Sequence, residues 1–187
     1  MLTPDEPRPV RLMNTVWADR SGVHDDLTTV EDLTTWLTGD SATDVATTTA
    51  ADLAAFRTLR QALRDLAATL TEDTRAIAAD RDRDRAVEAV NAAVRQAVVW
   101  PQLDVEDGEL RRRTTADAPP ATRALAATAA EAVDLFTGPD RVLLRACYAP
   151  GCVLYFVKDH PRREWCSPAC GNRVRAARHY RRSRTDG

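Results

Sequence analysis

All four cysteines of this 187-residue chain fall between positions 147 and 170. Cys147, Cys152, Cys166 and Cys170 are spaced C-x4-C-x13-C-x3-C. Thiolates are the soft ligands that zinc prefers, and four of them at tetrahedral corners about 2.3 Å from the ion saturate it. Two short-range pairs joined by a loop can supply that set without a large core. A site with all four corners taken by protein leaves no open coordination position, which points to a structural metal and away from a catalytic one. Such binding is worth ~10–16 kcal/mol in isolated finger peptides, enough to decide whether a small module folds. Two disulfides are the competing reading, and a reducing compartment argues against them. Oxidation of the thiolates as a redox signal is an additional role the cluster leaves open. His160, between the pairs, is a lesser ligand candidate.

The flanking residues say how the pairs are held. Residues 153–157 read as a strand and residues 158–163 as its turn. Ser167 and Pro168 are a good N-cap and first helical residue, so Cys170 should ride on the first turn of a helix. That helix carries Arg173, Arg175, Arg178, Arg181 and Arg182. At 100° per residue, Arg175, Arg178 and Arg182 share one side, leaving Val174 and Ala177 to face the metal. A metal-anchored Arg-rich helix suits nucleic acid, with phosphate contacts giving affinity and one or two Arg reaching guanine edges. Arg162 and Arg163 in the inter-pair loop would clamp phosphate. Asn172 would hydrogen-bond an adenine, or would serve inside the fold to hold the cysteine loop.

Net charge separates the same region from the rest. Residues 1–140 hold 15 Arg and 25 acids, a net of −10, and residues 141–187 hold 11 basic residues and 3 acids, a net of +8, together the chain's −2. Such asymmetry often marks a nucleic-acid-binding end. The basic face also suits an acidic partner, including the chain's own N-terminal part, and RNA is a third reading.

The remaining elements must position this end. Residues 10–19 read as a strand or a first helical turn, taken here as helix, and residues 21–29 as a polar connection. Thr28 followed by Glu31 suggests a capping box for a helix through Leu37, with Gly39 ending it. The clearest helix is N-capped by Thr49 with Asp52 at its third position. Leu53, Phe56, Leu59, Leu63, Leu66 and Leu70 fall inward, and Arg57, Arg60 and Arg64 fall along another side. A further helix spans residues 80–98 with Val87, Val90, Val94 and Val98 inward. Asp107-Gly108 then predicts a hairpin with strands near 98–105 and 109–115, with Pro101 keeping the first at an edge. A helix over residues 120–137 follows, and Pro139 opens a short helix leading to Cys147. Trp36, Trp100 and Trp165 read as packing residues. Asn14, Trp17, Arg57, Arg60 and Arg64 are candidates to line a pocket for a carboxylate or phosphate effector, with Arg–acid pairing as the alternative. The fold class expected is mainly α with a small β-hairpin (α+β), a helical domain over 1–140 followed by a treble-clef-like or similar small four-cysteine zinc finger over 141–187.

The strings Cys147-Tyr-Ala-Pro-Gly-Cys152, Tyr155-Phe156, Arg163-Glu164-Trp165-Cys166-Ser167 and Cys170-Gly171-Asn172-Arg173 resemble the CGNR zinc-finger family. Leu12-Met13-Asn14-Thr15, Asp26-Leu27, Trp36-Leu37 and residues 59–64 resemble the ABATE-type domain usually found before that finger. The resemblance implies a stress-induced transcriptional regulator holding one structural Zn²⁺, with DNA as partner. Two departures stand out. Three residues separate the last two cysteines where the family often has four, and Lys158-Asp159-His160-Pro161 replaces an Asp-x-Ser-Arg stretch.

No Ser-His-Asp or Cys-His pattern, Gly-rich phosphate loop or paired-carboxylate motif is present, so no enzymatic activity is expected. The N-terminus lacks an apolar signal region and no apolar run reaches the ~20 residues that span a bilayer. A bacterial cytoplasmic protein is expected, with Arg, Ala, Thr and Asp usage reflecting GC-rich coding. An effector or a homo-oligomer would complete a regulator. The competing class is a zinc-stabilised protein-interaction module.

Overall fold

The computed structural model describes residues 6–39 and 48–185. Helix α1 (Arg8–Met13) leads into an antiparallel pair, β1 (Val16–Ala18) and β2 (Val23–Asp25), and then α2 (Val30–Thr38). Helix α3 (Ala50–Leu70) is the spine of the body and packs against α1, α2, α4 (Arg83–Val94) and α5 (Pro120–Thr137). Between α4 and α5 the chain runs out and back through β3 (Val99–Glu106) and β4 (Glu109–Ala116). After α5, a 3₁₀ turn (Pro139–Leu143) feeds β5 (Leu144–Ala146), which pairs antiparallel with β6 (Tyr155–Val157). Helix α6 (Pro168–Thr185) closes the chain. No helix among the described residues is long and apolar enough to cross a membrane.

The reason α3 can be central lies in its sequence. Thr49 accepts from the Asp52 amide while Asp52 reaches back to the Thr49 amide, a capping box that satisfies two otherwise orphaned donors. Phe56, Leu59 and Leu63 are fully buried on one side, and Ala62, Ala67 and Ala68 let neighbouring backbones approach. Each large buried apolar side chain contributes about 1.5–3 kcal/mol. The body's core is continuous with that of β5 and β6, since Leu144, Ala146 and Tyr155 belong to the same buried cluster as Leu12, Met13 and Leu63.

Several elements differ from the sequence expectation. Residues 10–19 are a helix followed by a strand, and residues 21–29 contain β2, strands too short to leave a periodic signal. The capping box of α2 is Thr29 with Asp32, one residue later than Thr28 with Glu31, and Asp32 bonds the Thr28 hydroxyl as well. Helix α4 stops at Val94, leaving Val98 exposed, and Val87 points outward because Ala86, Val90 and Ala93 form its inner side. Arg60 and Arg64 are buried, for reasons given below. Trp100 lies exposed on β3, whereas Trp36 is buried and Trp165 half-buried. The short helix after Pro139 is a 3₁₀ turn that yields to β5.

Candidate metal centre

The four cysteine sulfurs lie within 4.8 Å of one another, and all four residues are buried. A tetrahedron with ~2.3 Å arms has edges of about 3.8 Å. The Sγ atoms of Cys152 and Cys166 are 3.7 Å apart and those of Cys166 and Cys170 are 3.3 Å apart. The donor set, the spacing and the burial therefore fit one Zn²⁺. Phe156, Val174 and Ala149 pack around the sulfurs and keep water away.

Each ligand is placed by local structure. Cys147 and Cys152 sit on a knuckle after β5, where the Cys147 amide donates to Leu154 O at 3.0 Å and the Cys152 amide to Ala149 O at 2.9 Å. Cys166 precedes α6, and Ser167 caps that helix by accepting from the Cys170 amide at 3.3 Å. Gly171 follows Cys170 because a Cβ there would meet Trp165 Cδ1 at 3.3 Å, so glycine lets the indole close against the helix. Arg173 donates to Cys170 Sγ at 2.8 Å. Cys170 is held well below the usual thiol range by donation from Cys147, Cys152 and Cys166, with Arg173 adding a further donor. A thiolate is the form that ligates metal.

The metal cluster is bolted to the helical body by polar and charged groups on every side. Asn14 spans the β6 backbone, donating through Nδ2 to Tyr155 O at 2.8 Å and accepting from the Tyr155 amide at 2.9 Å. Arg64 donates to Met13 O at 2.8 Å and to Val153 O at 3.1 Å, joining the two regions. Arg75 inserts one nitrogen, Nη1, among the carbonyls of Cys147, Cys152 and Leu154 at 3.1–3.2 Å. Its other nitrogens bind the fully buried Asp73, which also accepts from the Tyr155 hydroxyl at 2.7 Å. Burial pushes the Asp73 carboxyl up, but Arg75 and Tyr155 outweigh it and hold it below the usual carboxylate range. Burial and the Asp73 carboxylate push the Tyr155 phenol up to about 12. On the far side, Glu6 accepts from the Val157 amide at 3.0 Å and pairs with Arg163.

These contacts place the sequence-derived candidates. The five proposed for an effector pocket are spent on internal partners. Asn14 and Arg64 dock the finger. Arg60 binds Asp25 through both carboxylate oxygens at 2.5 and 2.7 Å, and Thr15 at 2.9 Å. Arg57 approaches the same carboxylate at 3.8 Å. Trp17 donates to Asp26 at 2.7 Å and stacks on His24. Arg57 and Arg60 thus make Arg–acid contacts, whereas Arg64 donates to backbone carbonyls. Arg163 is committed to Glu6, Val157 O and Cys166 O, while Arg162 is exposed. Asn172 accepts from Arg175 on the surface of α6, and Arg175, Arg178, Arg181 and Arg182 are exposed, Arg181 on the side of the helix that carries Val174 and Ala177. His160 is exposed, accepts from the Arg162 amide and is no part of the sulfur cluster.

Sequence reasoning did not find Glu6, Asp73, Arg75 or Tyr155 as parts of the metal site's support. Asp73 and Arg75 lie in a polar loop after α3 with no periodicity, and their partners are 72 to 82 positions away. Only the clustering of two opposite charges beside a helix end hinted at them.

Family comparisons agree with this architecture. Residues 6–139 match the ABATE family model, described as "Putative stress-induced transcription regulator", and residues 143–183 match the CGNR zinc finger. No curated protein matches the chain.

Proposed function

The chain belongs to the ABATE family and ends in a CGNR zinc finger, and from that premise we propose that it is a DNA-binding transcription regulator whose zinc cluster aims α6 at duplex DNA. The observation that carries this reading is the outward arginine face of α6. Arg175, Arg178 and Arg182 lie on one side of a helix whose first turn carries a metal ligand and whose Val174 is buried against the cluster. Rotation of the helix about its axis would break that packing, so the cluster fixes which side faces outward. Arg162 and Arg181 are further exposed arginines. Arg173 and Arg163 support the metal loop and the docking contact, so their loss acts on the fold of the finger. The helical body, docked through Asn14, Arg64 and Arg75, serves sensing or association.

Fluorescence anisotropy of a labelled duplex in rising salt tests this. Three phosphate contacts give a log–log slope of about −2.7. Replacing Arg175, Arg178 and Arg182 together by Ala flattens the slope while zinc content and helicity stay unchanged. Zinc-loaded protein that ignores duplex DNA at low salt would overturn the reading in favour of a protein-interaction module.

A further inference from the structure

Between the finger and the helical body lies a cleft of about 750 Å³, the size of a small-molecule site. Its floor is apolar, made by the buried Leu144 of β5 and Phe156 of β6. The end of α3, the 3₁₀ turn, the cysteine knuckle and α6 contribute the remaining walls. Two of those walls are aromatic and already fixed. The Tyr148 hydroxyl accepts from the Thr74 amide at 3.2 Å, and Arg75 packs 5.8 Å from its ring centre. Trp165 closes against Gly171, and its indole N–H meets no acceptor among the described residues.

Four cations line the same cleft, Arg141, Arg145, Lys158 and Arg178. None has a carboxylate within ion-pair distance among the described residues. Arg145 donates only to the carbonyls of Val142 and Leu144. A fifth cation, Arg163, is spent on Glu6 and Asp159. Glu72 and Glu164 also line the cleft, and neither is in an ion pair among the described residues. Four unpaired cations against two carboxylates leave the cleft positive. Charges beside apolar surface are less screened than charges in open water, so they hold an anion more tightly. A phosphodiester backbone would use the cations but gain nothing from the apolar floor. A ligand with both a ring and an acid group uses both. The arginines singled out in the helical body are spent on internal partners, whereas these are not.

We propose that this cleft binds a small aromatic anion, a flat ring bearing a carboxylate or phosphate, and that its occupancy loosens α6 from DNA. The ring lies on Phe156 between Tyr148 and Trp165, and the acid group meets Arg141, Arg145 and Lys158. The link to DNA comes through Arg178, which lines the cleft and also belongs to the arginine side of α6. A bound anion draws that guanidinium away from phosphate and adds negative charge beside it. This second half rests on the DNA-binding reading, and the ligand site itself does not.

Lys158 is the chain's only lysine, which allows a site-specific test on the zinc-loaded full chain. The probe is pyridoxal 5′-phosphate, an aromatic aldehyde with a phosphate. Its carbonyl carbon bonds to the lysine nitrogen with loss of water, and borohydride then delivers hydride to the C=N carbon and fixes the label. Peptide mass mapping reads Lys158 against the α-amine of the chain. The expected result is labelling of Lys158 that saturates with probe concentration, as binding before bonding requires. Arg141→Gln and Arg145→Gln each lower the apparent affinity by about tenfold, as the loss of a charged hydrogen bond does. Both positions are exposed, so zinc content and circular dichroism stay unchanged. Arg111→Gln, on β4, has no effect. 1-Naphthoate protects Lys158, and acetate at the same ionic strength does not. Labelling that rises linearly without saturation, indifference to Arg141→Gln and Arg145→Gln, or equal protection by acetate overturns the site. In fluorescence anisotropy, 1-naphthoate weakens duplex binding by about fivefold or more against acetate, the low end of ordinary coupling between sites. Equal duplex affinity in both anions, with Lys158 protected, overturns the link to α6. Failure of the unliganded protein to bind duplex overturns the DNA-binding reading alone, and the labelling still decides the site.

Discussion

Two hairpins of this molecule have opposite fates. The β5–β6 pair has three residues a strand and is largely buried, whereas β3–β4 has eight residues a strand and is exposed on both faces. The short pair is held by what surrounds it. Asn14 binds its backbone, Glu6 caps its edge at Val157, Arg64 and Arg75 hold the adjoining loop, and the metal cluster hangs from its ends. The long ribbon has a matched turn and a full ladder, yet nothing among the described residues lies on the face of Leu103 and Val105. Ladder length does not decide which hairpin is rigid. Partners for the backbone and cover for the side chains do.

The largest way to break the comparison is to remove the metal. Chelation, or Cys166→Ser, should unfold β5, β6 and α6 while α3, α4 and the β3–β4 ribbon persist, and amide hydrogen exchange read region by region will show whether the loss stops at the finger. Next comes Arg75→Ala, which leaves the buried Asp73 without its counter-charge and the three knuckle carbonyls without their donor. Breaking one side of a buried pair costs about 3–5 kcal/mol, to be read from urea midpoints of zinc-loaded protein. Asn14→Ala orphans one buried N–H and one C=O on β6, a cost of about 2–6 kcal/mol at ~1–3 for each unmet group. By contrast, Leu110→Thr on the ribbon should change the stability of the single chain by no more than about 0.5 kcal/mol, as for an ordinary surface site.

A pH dependence sharpens the body's side of the comparison. Burial raises the Asp25 carboxyl, but the Arg60 guanidinium and the Leu27 amide outweigh it and leave it below its ordinary value. A depressed carboxylate stabilises the fold above the unfolded pKa and ceases to do so as pH falls through the folded one. The protein should therefore be more stable than Asp25→Asn near neutrality, and the gap should close as pH drops below about 4. A gap that is constant with pH would mean that Arg60 and Asp25 contribute no net charge interaction.

The sequence made the metal site and the helices around it legible because their signals are local. Four cysteines at ligand spacing, Ser167-Pro168 before Cys170, and Thr49 with Asp52 before a leucine ladder each need only a few neighbouring positions. The Asp107-Gly108 turn was equally local, and the ribbon lies within a residue of its expected bounds. What was not legible depends on distant partners. Arg60 and Arg64 stood out only as arginines along a second side of α3, and it is Asp25, Met13 O and Val153 O that let them be buried. Strands β1, β2 and β5 have three residues each and no room for a period. Arg75 lies in an aperiodic loop, and only the folded chain brings it beneath the knuckle. The hairpin itself was visible, but that nothing among the described residues covers β3 could be known only from the fold.

The central claim is that the sulfur cluster holds α6 so that its arginine side meets DNA. Recovery of genomic fragments bound to the zinc-loaded full chain, in parallel with the form carrying Arg175→Ala, Arg178→Ala and Arg182→Ala, tests it most directly. The account predicts a reproducible set of enriched fragments for the unaltered protein and its loss in the triple variant with zinc still bound. Equal recovery by both proteins, or no enrichment by either, would contradict it.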